Sequence, residues 1–371
     1  MHIAFVIPDL GPGGAERVAT LLANYWVSQG HDVTVATFEM SGTEPFFPVE
    51  RRVVVRELEA PAASRWLTGR LGNNIARVSR LRSLLRDIRP DIVVAFMTEA
   101  NVVALCAVQG LGVPVVISER NQPDRPGLGP VHRFARRLAY PLARAMVVQT
   151  EAIAAWAKAR FNIPMHVIPN PVLLELDGAA SLRGSPHLLV SLGRLSHQKG
   201  YDLLLKSFAA LAGKHPDWQL IIYGEGPERA QLERLQAESG YAKQISLPGL
   251  TRDSLGALRQ ASLFVLPSRF EGYPNALLEA LGCGLPIVAT VSPGGTAEIL
   301  ADGAYGMLVP PDDVSALTAA LDAMMSSPEL RNSYAARARP AVAELDVASI
   351  SGRWLDLLKA LAGRRGLRNL F

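Results

Sequence analysis

Short runs of apolar, often β-branched residues alternate with longer amphipathic stretches along most of this chain. HIAFVIP is followed by AERVATLLANYWVSQG, and HDVTVATF, DIVVAFM, VPVVISE and AMVVQT continue the alternation. Strands that alternate with helices form a mostly parallel sheet covered by helices on both faces. The first part of the sequence therefore predicts an α/β domain with a doubly wound, Rossmann-like sheet.

The alternation is interrupted near 168–187, where IPNPVLLELDGAASLRGSPH has the composition of a linker. It then restarts with HLLVSLGRL, WQLIIYGEG, QISLPGL, SLFVLPS, LPIVATV and YGMLVPP. A chain of 371 residues is long enough for two such domains. We predict one domain over 1–170, a second over 171–345, and a C-terminal helix within 346–371 that packs back on the first.

Composition narrows the class of protein. Hydrophobic residues make up 49% and charged residues 19%, which fits a globular protein and excludes a disordered one. The N-terminus MHIAFVIPDL resembles a first strand rather than a signal peptide, and no apolar run reaches the length of a membrane span. Two cysteines, Cys106 and Cys283, indicate no disulfide framework. We expect a cytoplasmic protein.

Positive charge is unevenly placed. The formal net charge is only +4, but residues 51–90 carry ten Arg against three acids, and 359–371 carry four basic residues and no acid. Such asymmetry indicates an anionic partner, either nucleic acid or anionic lipid. The basic residues are not interleaved with aromatic ones, so nucleic acid is the poorer fit.

Ligands of doubly wound sheets bind at the carboxyl ends of the strands, so the loops there are the candidate sites. The first loop, LGPGGAER at 10–17, contains Gly11, Gly13 and Gly14 ahead of a predicted helix, whose N-terminus would favour an anion. An ordinary strand-to-helix turn explains it about equally well. The same two interpretations apply to VSPGGTAEIL at 291–300, with Pro293, Gly294 and Gly295.

The second loop, SLGRLSHQKG at 191–200, places Arg194 and Lys199 after Gly193 and before a predicted helix. Two cations at one strand-to-helix junction suit a diphosphate. The alternative is a pair of solvated surface charges. The chain has only six Lys against 32 Arg, which gives the position of Lys199 some weight.

The third loop, RFEGYPNALLEALGCGLP at 269–286, contains Glu271 in the loop and Glu279 about one turn inside a predicted helix. Two carboxylates at one site can accept hydrogen bonds from vicinal sugar hydroxyls, and the helix start at 273–276 offers N–H groups to a phosphate. An acidic residue that complements the helix dipole would explain Glu271. It explains Glu279 poorly, because Ala, Leu and Gly surround that residue.

Four segments in order resemble a known family. The run Glu271-Gly-Tyr-Pro-Asn-Ala-Leu-Leu-Glu279 looks like the signature of family 4 retaining glycosyltransferases, and GGAER at 13–17, GRLSHQKG at 193–200 and YGEGPER at 223–229 are similar to its other motifs. The resemblance covers nearly the whole chain. It implies the GT-B architecture, in which two Rossmann-like domains face each other across a cleft and the donor binds on the C-terminal side.

The resemblance also implies roles for single residues. Arg194 and Lys199 would hold the donor diphosphate and stabilise the leaving nucleotide. Glu279 would bind the ribose hydroxyls and Glu271 the donor sugar, and the base would lie near Pro248–Leu250. The implied catalytic residues are Arg194, Lys199 and Glu271, and the implied donor-binding set is Gly13, Gly14, Arg194, Lys199, Leu250, Glu271, Gly272, Tyr273, Pro274, Asn275 and Glu279.

One segment departs from the family pattern. Many members carry a His after a strand of the first domain, whereas this chain reads VVISERNQP there, with Glu119, Arg120 and Asn121. The SERN form is similar to the branch that extends lipid-linked oligosaccharide, capsular or exopolysaccharide repeat units. These three residues and Glu16 are candidates for contacts with the acceptor or a sugar.

The reaction implied by the resemblance is transfer of a hexose or N-acetylhexosamine, with retention, from a UDP-linked or other nucleotide-diphosphate sugar to a hydroxyl of a polyprenyl-diphosphate-linked or other lipid-linked saccharide. It needs no metal and no further cofactor, because Arg194, Lys199 and helix N-termini would stabilise the phosphates. Asp312-Asp313 precedes a predicted helix and suits an N-cap better than a metal site.

Rival functions fit the same fold. A non-catalytic nucleotide-sugar or polyanion-binding protein is one, although Arg194, Lys199, Glu271 and Glu279 together favour catalysis. A sugar-phosphate synthase or an inverting GT-B enzyme is another, although the inverting kind would usually need a base in the first loop, where no His occurs.

The stretch WLTGRLGNNIARVSRLRSLLRDI at 66–88 predicts contact with the anionic inner face of a bacterial plasma membrane. On a helical wheel its apolar side chains form a stripe bordered by Arg77 and Arg86, with Arg80 further round, and the tail 363–371 adds basic residues. The stripe consists of Leu71, Ile75, Val78, Leu81, Leu85 and Ile88. The alternative is a helix that packs its stripe on the sheet and leaves the Arg residues solvated.

Overall fold

The computed structural model describes residues 1–39, 44–58, 67–120, 130–174, 187–292 and 295–363, with 67–73 and Pro130 described by backbone only. The chain divides into two compact units. One comprises Met1–Pro171 with Val347–Phe371, and the other comprises Val172–Asp346. Most of the predicted linker, 175–186, lies outside the described residues.

The first unit contains a seven-stranded sheet in which every neighbouring pair is parallel, in the order β3-β2-β1-β4-β5-β6-β7. The strands are β1 (His2–Ile7), β2 (Asp32–Thr37), β3 (Val54–Glu57), β4 (Ile92–Phe96), β5 (Val115–Ser118), β6 (Ala145–Val148) and β7 (Met165–Val167). The central strands β1, β4, β5 and β6 are buried almost throughout, as expected where helices cover both faces. The helices are α1 (Gly14–Ser28), α2 (Leu67–Ile88), α3 (Thr98–Ala107), α4 (Pro130–Ala139) and α5 (Glu151–Lys158).

The C-terminal helix of the chain, Val347–Ala362, is part of the first unit, where it packs on α1 and β4. Its buried Trp354 lies 6.4 Å from Trp26 and 5.7 Å from Phe96, measured between ring centroids. Phe96 in turn lies 4.6 Å from Phe5. This aromatic cluster attaches the helix by burying some of the largest side chains of the unit.

The second unit repeats the architecture with a six-stranded parallel sheet in the order β10-β9-β8-β11-β12-β13. Its strands are β8 (His187–Leu192), β9 (Trp218–Tyr223), β10 (Ile245–Gly249), β11 (Leu263–Leu266), β12 (Ile287–Thr290) and β13 (Met307–Val309). Its helices are α6 (Tyr201–Ala212), α7 (Arg229–Glu238), α8 (Ser254–Arg259), α9 (Asn275–Gly282), α10 (Thr296–Ile299), α11 (Val314–Ser326) and α12 (Pro328–Ala338), and the helix Val347–Ala362 described above is α13.

Both sheets confirm the predicted fold class of doubly wound α/β domains. Each sheet has a switch point, where successive strands begin to be added on the other side: between β1 and β4 in the first unit, and between β8 and β11 in the second. The loops that leave two neighbouring strands there diverge to opposite faces, which opens a crevice at the carboxyl edge. The segments that follow β1, β8 and β11 contain the glycine and charge motifs singled out in the sequence.

Candidate active site

The loops after β8 and β11 are held in close contact at the switch point of the second unit. Gly200 has a left-handed φ of 66°, and a Cβ atom there would lie 2.1 Å from the carbonyl oxygen of Pro267. A glycine is therefore required by both conformation and space. The close approach places Lys199, at the end of the β8 loop, beside the loop that follows β11.

Lys199 and Glu271 form an ion pair in this crevice. The Lys199 ammonium Nζ lies 2.5 Å from Oε1 of Glu271, and both side chains are largely buried. The hydroxyl of Ser268 donates a second hydrogen bond, 2.6 Å long, to the same oxygen. Arg194, in contrast, is exposed, and its guanidinium makes no ion pair with any described residue. One cation is thus neutralised inside the crevice, and a second is accessible close by in the same loop.

Arg269 connects the loops after β8 and β11 by hydrogen bonds. Its guanidinium makes two 2.8 Å hydrogen bonds to the carboxylate of Asp202 at the start of α6 and donates a third to the carbonyl of His197. It also donates to Asp312. A two-point Arg–carboxylate contact fixes direction as well as distance. Arg269 therefore holds in register the two segments that carry Lys199 and Glu271.

Glu279 is buried in α9, where the sequence placed it, one turn inside the helix. It is only 6% exposed. The hydroxyl of Ser254, the first residue of α8, donates a 3.0 Å hydrogen bond to its Oε2 atom. Glu271 and Glu279 thus have different partners: Glu271 contacts the β8 loop, and Glu279 contacts the start of α8. Gly272, Tyr273 and Pro274 lead into α9, and Asn275 is its first residue.

The segment YGEGPER packs against the loop after β8. Leu195 donates its amide to the carbonyl of Glu225, and a Cβ on Gly224 would lie 1.9 Å from the carbonyl oxygen of Gly193. Arg229 stabilises this segment by ion pairs with Glu225 and Glu233. This motif therefore supports the loop that carries Arg194. Leu250, the predicted neighbour of the base, follows β10 and is exposed.

In the first unit, Glu16 lies at the switch point after β1. Its carboxyl group lies over Gly13, so close that a Cβ atom added to Gly13 would lie 2.0 Å from Oε2 of Glu16. The carboxyl group accepts hydrogen bonds from the backbone amides of Ala15 and of Glu16 itself. Burial raises the pKa of Glu16 to about 7 against the lowering effect of these amides, and the charge of Asp9 raises it further. The acidic side chain thus occupies the N-terminus of α1.

Two described residues of the SERN segment are also buried at least in part. The carboxylate of Glu119 accepts hydrogen bonds from the Thr98 hydroxyl, at 3.0 Å, and from the Tyr140 hydroxyl. Arg120 donates to Oδ1 of Asn170 at 2.5 Å and lies over the ring of Phe96. Burial lowers the pKa of Arg120 to about 9. Asn121 lies outside the described residues.

Comparison with known proteins identifies the family. The family described as "Glycosyltransferase Family 4" matches residues 12–176, and the family "Glycosyl transferases group 1" matches residues 176–340. The two matches adjoin near the boundary between the two units and together contain every described site residue named above. The chain is a glycosyltransferase, with a Family 4 domain followed by a group 1 domain.

Relatives and solved structures agree with this assignment. The glycosyltransferase is 26% identical to the Campylobacter jejuni GalNAc-α-(1→4)-GalNAc-α-(1→3)-diNAcBac-PP-undecaprenol α-1,4-N-acetyl-D-galactosaminyltransferase, over 96% of this chain and 98% of that one. By fold it is similar to sucrose-phosphate synthase from Thermosynechococcus elongatus, with a TM-score of 0.84, 18% identity, and coverage of 97% and 98%. Anabaena HepE in complex with UDP gives a TM-score of 0.78, 20% identity, and coverage of 97% and 100%.

Other candidates from the sequence have structural roles in the glycosyltransferase. Asp313 caps α11 by accepting the amide of Ala316, as predicted, and Asp312 binds Arg269. Within the described ranges, no group of three or more His, Cys, Asp or Glu side chains is arranged to hold a metal ion. Gly295 precedes α10, and Pro293 and Gly294 lie outside the described residues.

Sequence reasoning about the glycosyltransferase missed the residues that orient its charged groups. Ser268 and Arg269 lie three and two residues before Glu271, the first residue of the recognised run, so position alone could have singled them out. Ser254 lies 25 residues before Glu279, and no local pattern connects the two. The same holds for Tyr140 and Glu119, which are joined only by the tertiary structure.

Proposed function

We propose that this glycosyltransferase moves a hexose or N-acetylhexosamine from a UDP-sugar to a hydroxyl of a lipid-linked saccharide, with retention of configuration, in the synthesis of a bacterial surface polysaccharide or glycan. The observation that carries the proposal is the buried Lys199–Glu271 pair at the switch point of the second unit, with exposed Arg194 in the same loop. A diphosphate needs cations, and a sugar needs hydrogen-bond acceptors, in one crevice.

In this proposal Arg194 and Lys199 bind the donor diphosphate. Lys199 then exchanges part of its contact with Glu271 for a phosphate oxygen, which leaves Glu271 able to accept hydrogen bonds from hydroxyls of the transferred sugar. Glu279 accepts from the ribose hydroxyls, and Ser254 holds its carboxylate in place. Gly13, Gly14 and the region of Leu250 complete the donor contacts implied by the family pattern.

The reaction breaks the bond between the anomeric carbon and the diphosphate oxygen and forms a bond from the same face to the acceptor oxygen. The leaving diphosphate takes the proton from the acceptor hydroxyl, so atoms and charges balance without a protein nucleophile. As negative charge grows on the leaving oxygen, Lys199 and Arg194 stabilise it. The remaining contribution of the protein is to position the two substrates.

The acceptor half of the proposal is supported by the relative from Campylobacter jejuni, whose name specifies an undecaprenol diphosphate-linked acceptor. The UDP in the complex of the structural relative HepE supports a uridine nucleotide for the donor. Glu16, Glu119, Arg120 and Asn121 are the proposed contacts to the acceptor or a sugar. Such an acceptor also favours a cytoplasmic protein bound peripherally to an anionic membrane. Among the described residues no helix has the length and apolarity to cross a membrane.

A nucleotide-sugar panel tests this function. The purified protein is incubated with each donor and a short polyprenyl diphosphate-linked saccharide, and nucleotide release and the glycolipid product are measured. The expected result is acceptor-dependent UDP release from one donor and a product with an α-linkage. Binding without turnover for every donor would favour a non-catalytic protein, and transfer to a sugar phosphate instead of the glycolipid would favour a sugar-phosphate synthase.

A further inference from the structure

The helix that the sequence singles out for membrane contact, α2, packs its apolar stripe on the first unit. Leu81 and Leu85 are part of the hydrophobic core, and Val78 and Ile88 pack against that core. Arg77, at the border of the stripe, forms ion pairs with Glu39 and Glu99. The part of the stripe from Val78 to Ile88 is therefore covered by the core, as in the alternative interpretation, whereas Ile75 of the same stripe is 71% exposed.

A different helix of the same unit exposes an apolar ridge. Val131, Phe134, Leu138 and Leu142 lie on α4 and on the turn that follows it, and they are 66%, 65%, 61% and 55% exposed. Their spacing of three, four and four residues places the three on α4 within one narrow stripe of the helix, and Leu142 continues that stripe. Several large apolar side chains exposed in one row are unusual on a soluble surface and mark an interaction site.

The orientation of α4 is fixed by its opposite face. Arg136 is buried, with its guanidinium 4.9 Å from the ring centre of Trp156 and 5.8 Å from that of Tyr140. Ala139 and Tyr140 are buried beside it. Turning the helix so that the ridge packed inward would move these groups into solvent. The exposure of the ridge is thus a consequence of well-packed contacts on the other face.

The charged side chains of α4 are all basic. Arg133 and Arg137 are exposed on α4, neither makes an ion pair with a described residue, and the sequence PVHRFARRLA contains no acid. Long Arg side chains beside an apolar ridge can reach phosphate headgroups while the ridge enters the acyl boundary. A protein partner of ordinary composition would not explain why the surface combines these apolar side chains with one sign of charge.

We propose that α4 is the membrane-docking surface of the first unit. Val131, Phe134, Leu138 and Leu142 enter the interfacial layer of an anionic bilayer, and Arg133 and Arg137 bind lipid phosphates. The inference rests on the proposed function in one respect, because a lipid-linked acceptor gives the enzyme a reason to bind a bilayer. It differs from the sequence-based expectation in assigning the contact to α4 and not to α2.

Co-sedimentation with vesicles tests this surface. Vesicles of phosphatidylcholine are compared with vesicles of phosphatidylcholine and phosphatidylglycerol, at low and high salt. The test variants are Phe134→Ser with Leu138→Ser, and Arg133→Glu with Arg137→Glu. The matched controls on α2 are Ile75→Ser, which changes a side chain 71% exposed, and Arg80→Glu with Arg86→Glu, which reverse exposed charges.

The expected result is binding only to the anionic vesicles, weakened by salt, with a loss of about tenfold or more in each α4 variant and little change in the α2 controls. Loss of binding in the α2 controls with retention in the α4 variants would overturn the assignment. So would failure of the wild type to bind anionic vesicles. If the wild type is dimeric in sedimentation and the ridge variant monomeric, the ridge binds a second copy of the chain instead.

Two further measurements separate this inference from the proposed function. Thermal unfolding shows whether each variant is folded, and nucleotide release with the short polyprenyl diphosphate-linked acceptor, measured without vesicles, shows whether the active site works. The α4 variants should release nucleotide at the wild-type rate. If the wild type binds vesicles but turns over no donor, the docking surface is supported and the transferase proposal is refuted. If it turns over the donor but binds no vesicles, the transferase proposal is supported and the docking surface is refuted.

Discussion

The ammonium of Lys199 lies 2.5 Å from Oε1 of Glu271, although 72 residues separate them in the chain. The two meet because β8 and β11 are neighbours at the switch point, and because Arg269 and Gly200 bring the following loops together. Within a partly buried crevice, the pair keeps both charges compensated until a ligand arrives. In the proposed function, an incoming diphosphate binds Lys199 in place of the carboxylate.

Lys199→Ala is expected to lower kcat by about a hundredfold to a thousandfold, because the charge that stabilises the leaving diphosphate is lost. Steady-state UDP release measures the change. Lys214→Ala is the control, since Lys214 is an exposed lysine paired with Asp322 away from the crevice. A folded Lys199→Ala enzyme with wild-type turnover would show that the pair has only a structural role.

Glu279→Ala is also expected to reduce transfer to near the detection limit, because the buried carboxylate is the proposed acceptor for the ribose hydroxyls. Glu279→Gln keeps the volume and removes the charge, and we expect its affinity for UDP to fall about tenfold to a hundredfold. Calorimetric titration with UDP measures this. Ser254→Ala should weaken UDP binding less, since it loosens the carboxylate without removing it. Unchanged affinity in Glu279→Gln would contradict the assignment of ribose binding.

Turnover is expected to persist in EDTA, because Arg194, Lys199 and the amides at helix N-termini supply positive charge to the diphosphate in this proposal. The assay compares UDP release before and after chelation and after adding back Mg²⁺ or Mn²⁺. Activity that disappears on chelation and returns with either ion would refute metal independence and require a metal between the phosphates.

Glu16→Gln is expected to stabilise the first unit at high pH. Burial, the main cause, raises the pKa of Glu16 from 4.5 to about 7. Between pH 4.5 and about pH 7, the folded state therefore keeps the proton on Glu16, whereas the unfolded state has released it. The stability contributed by this proton is fully present below about pH 4.5 and is lost as the pH rises through about 7. Gln remains neutral and avoids that loss.

The free energy of unfolding should thus be about 1–3 kcal/mol higher for Glu16→Gln than for wild type near pH 8, and close to equal near pH 4.5. Urea unfolding at the two pH values measures the difference. Glu50→Gln, the same substitution at an exposed position of the same unit, is the control. A stability difference for Glu16→Gln that is the same at both pH values would argue against burial of an ionisable carboxyl as its cause.

The sequence alone predicts the charged residues of the candidate site but not their partners. Arg194, Lys199 and Glu271 were recognisable because each follows a predicted strand, and parallel strands end at a common edge. Glu279 stood out as an acid within an apolar helical segment. Ser254 and Asn170 could not be found in this way, because their contacts with Glu279 and Arg120 cross between segments distant in the chain.

What the sequence determined by itself is the class of fold and the edge of each sheet at which the candidate binding loops lie, because strand and helix periodicity and glycine-rich turns are local properties of the chain. The tertiary structure decided which face of each amphipathic helix is buried. The apolar stripe of α2 and the ridge of α4 are similar as patterns, yet the core covers Leu81 of α2, whereas Phe134 of α4 remains exposed. Only the packing partners distinguish them, and Arg136, stacked on Trp156, holds α4 with its apolar ridge outward.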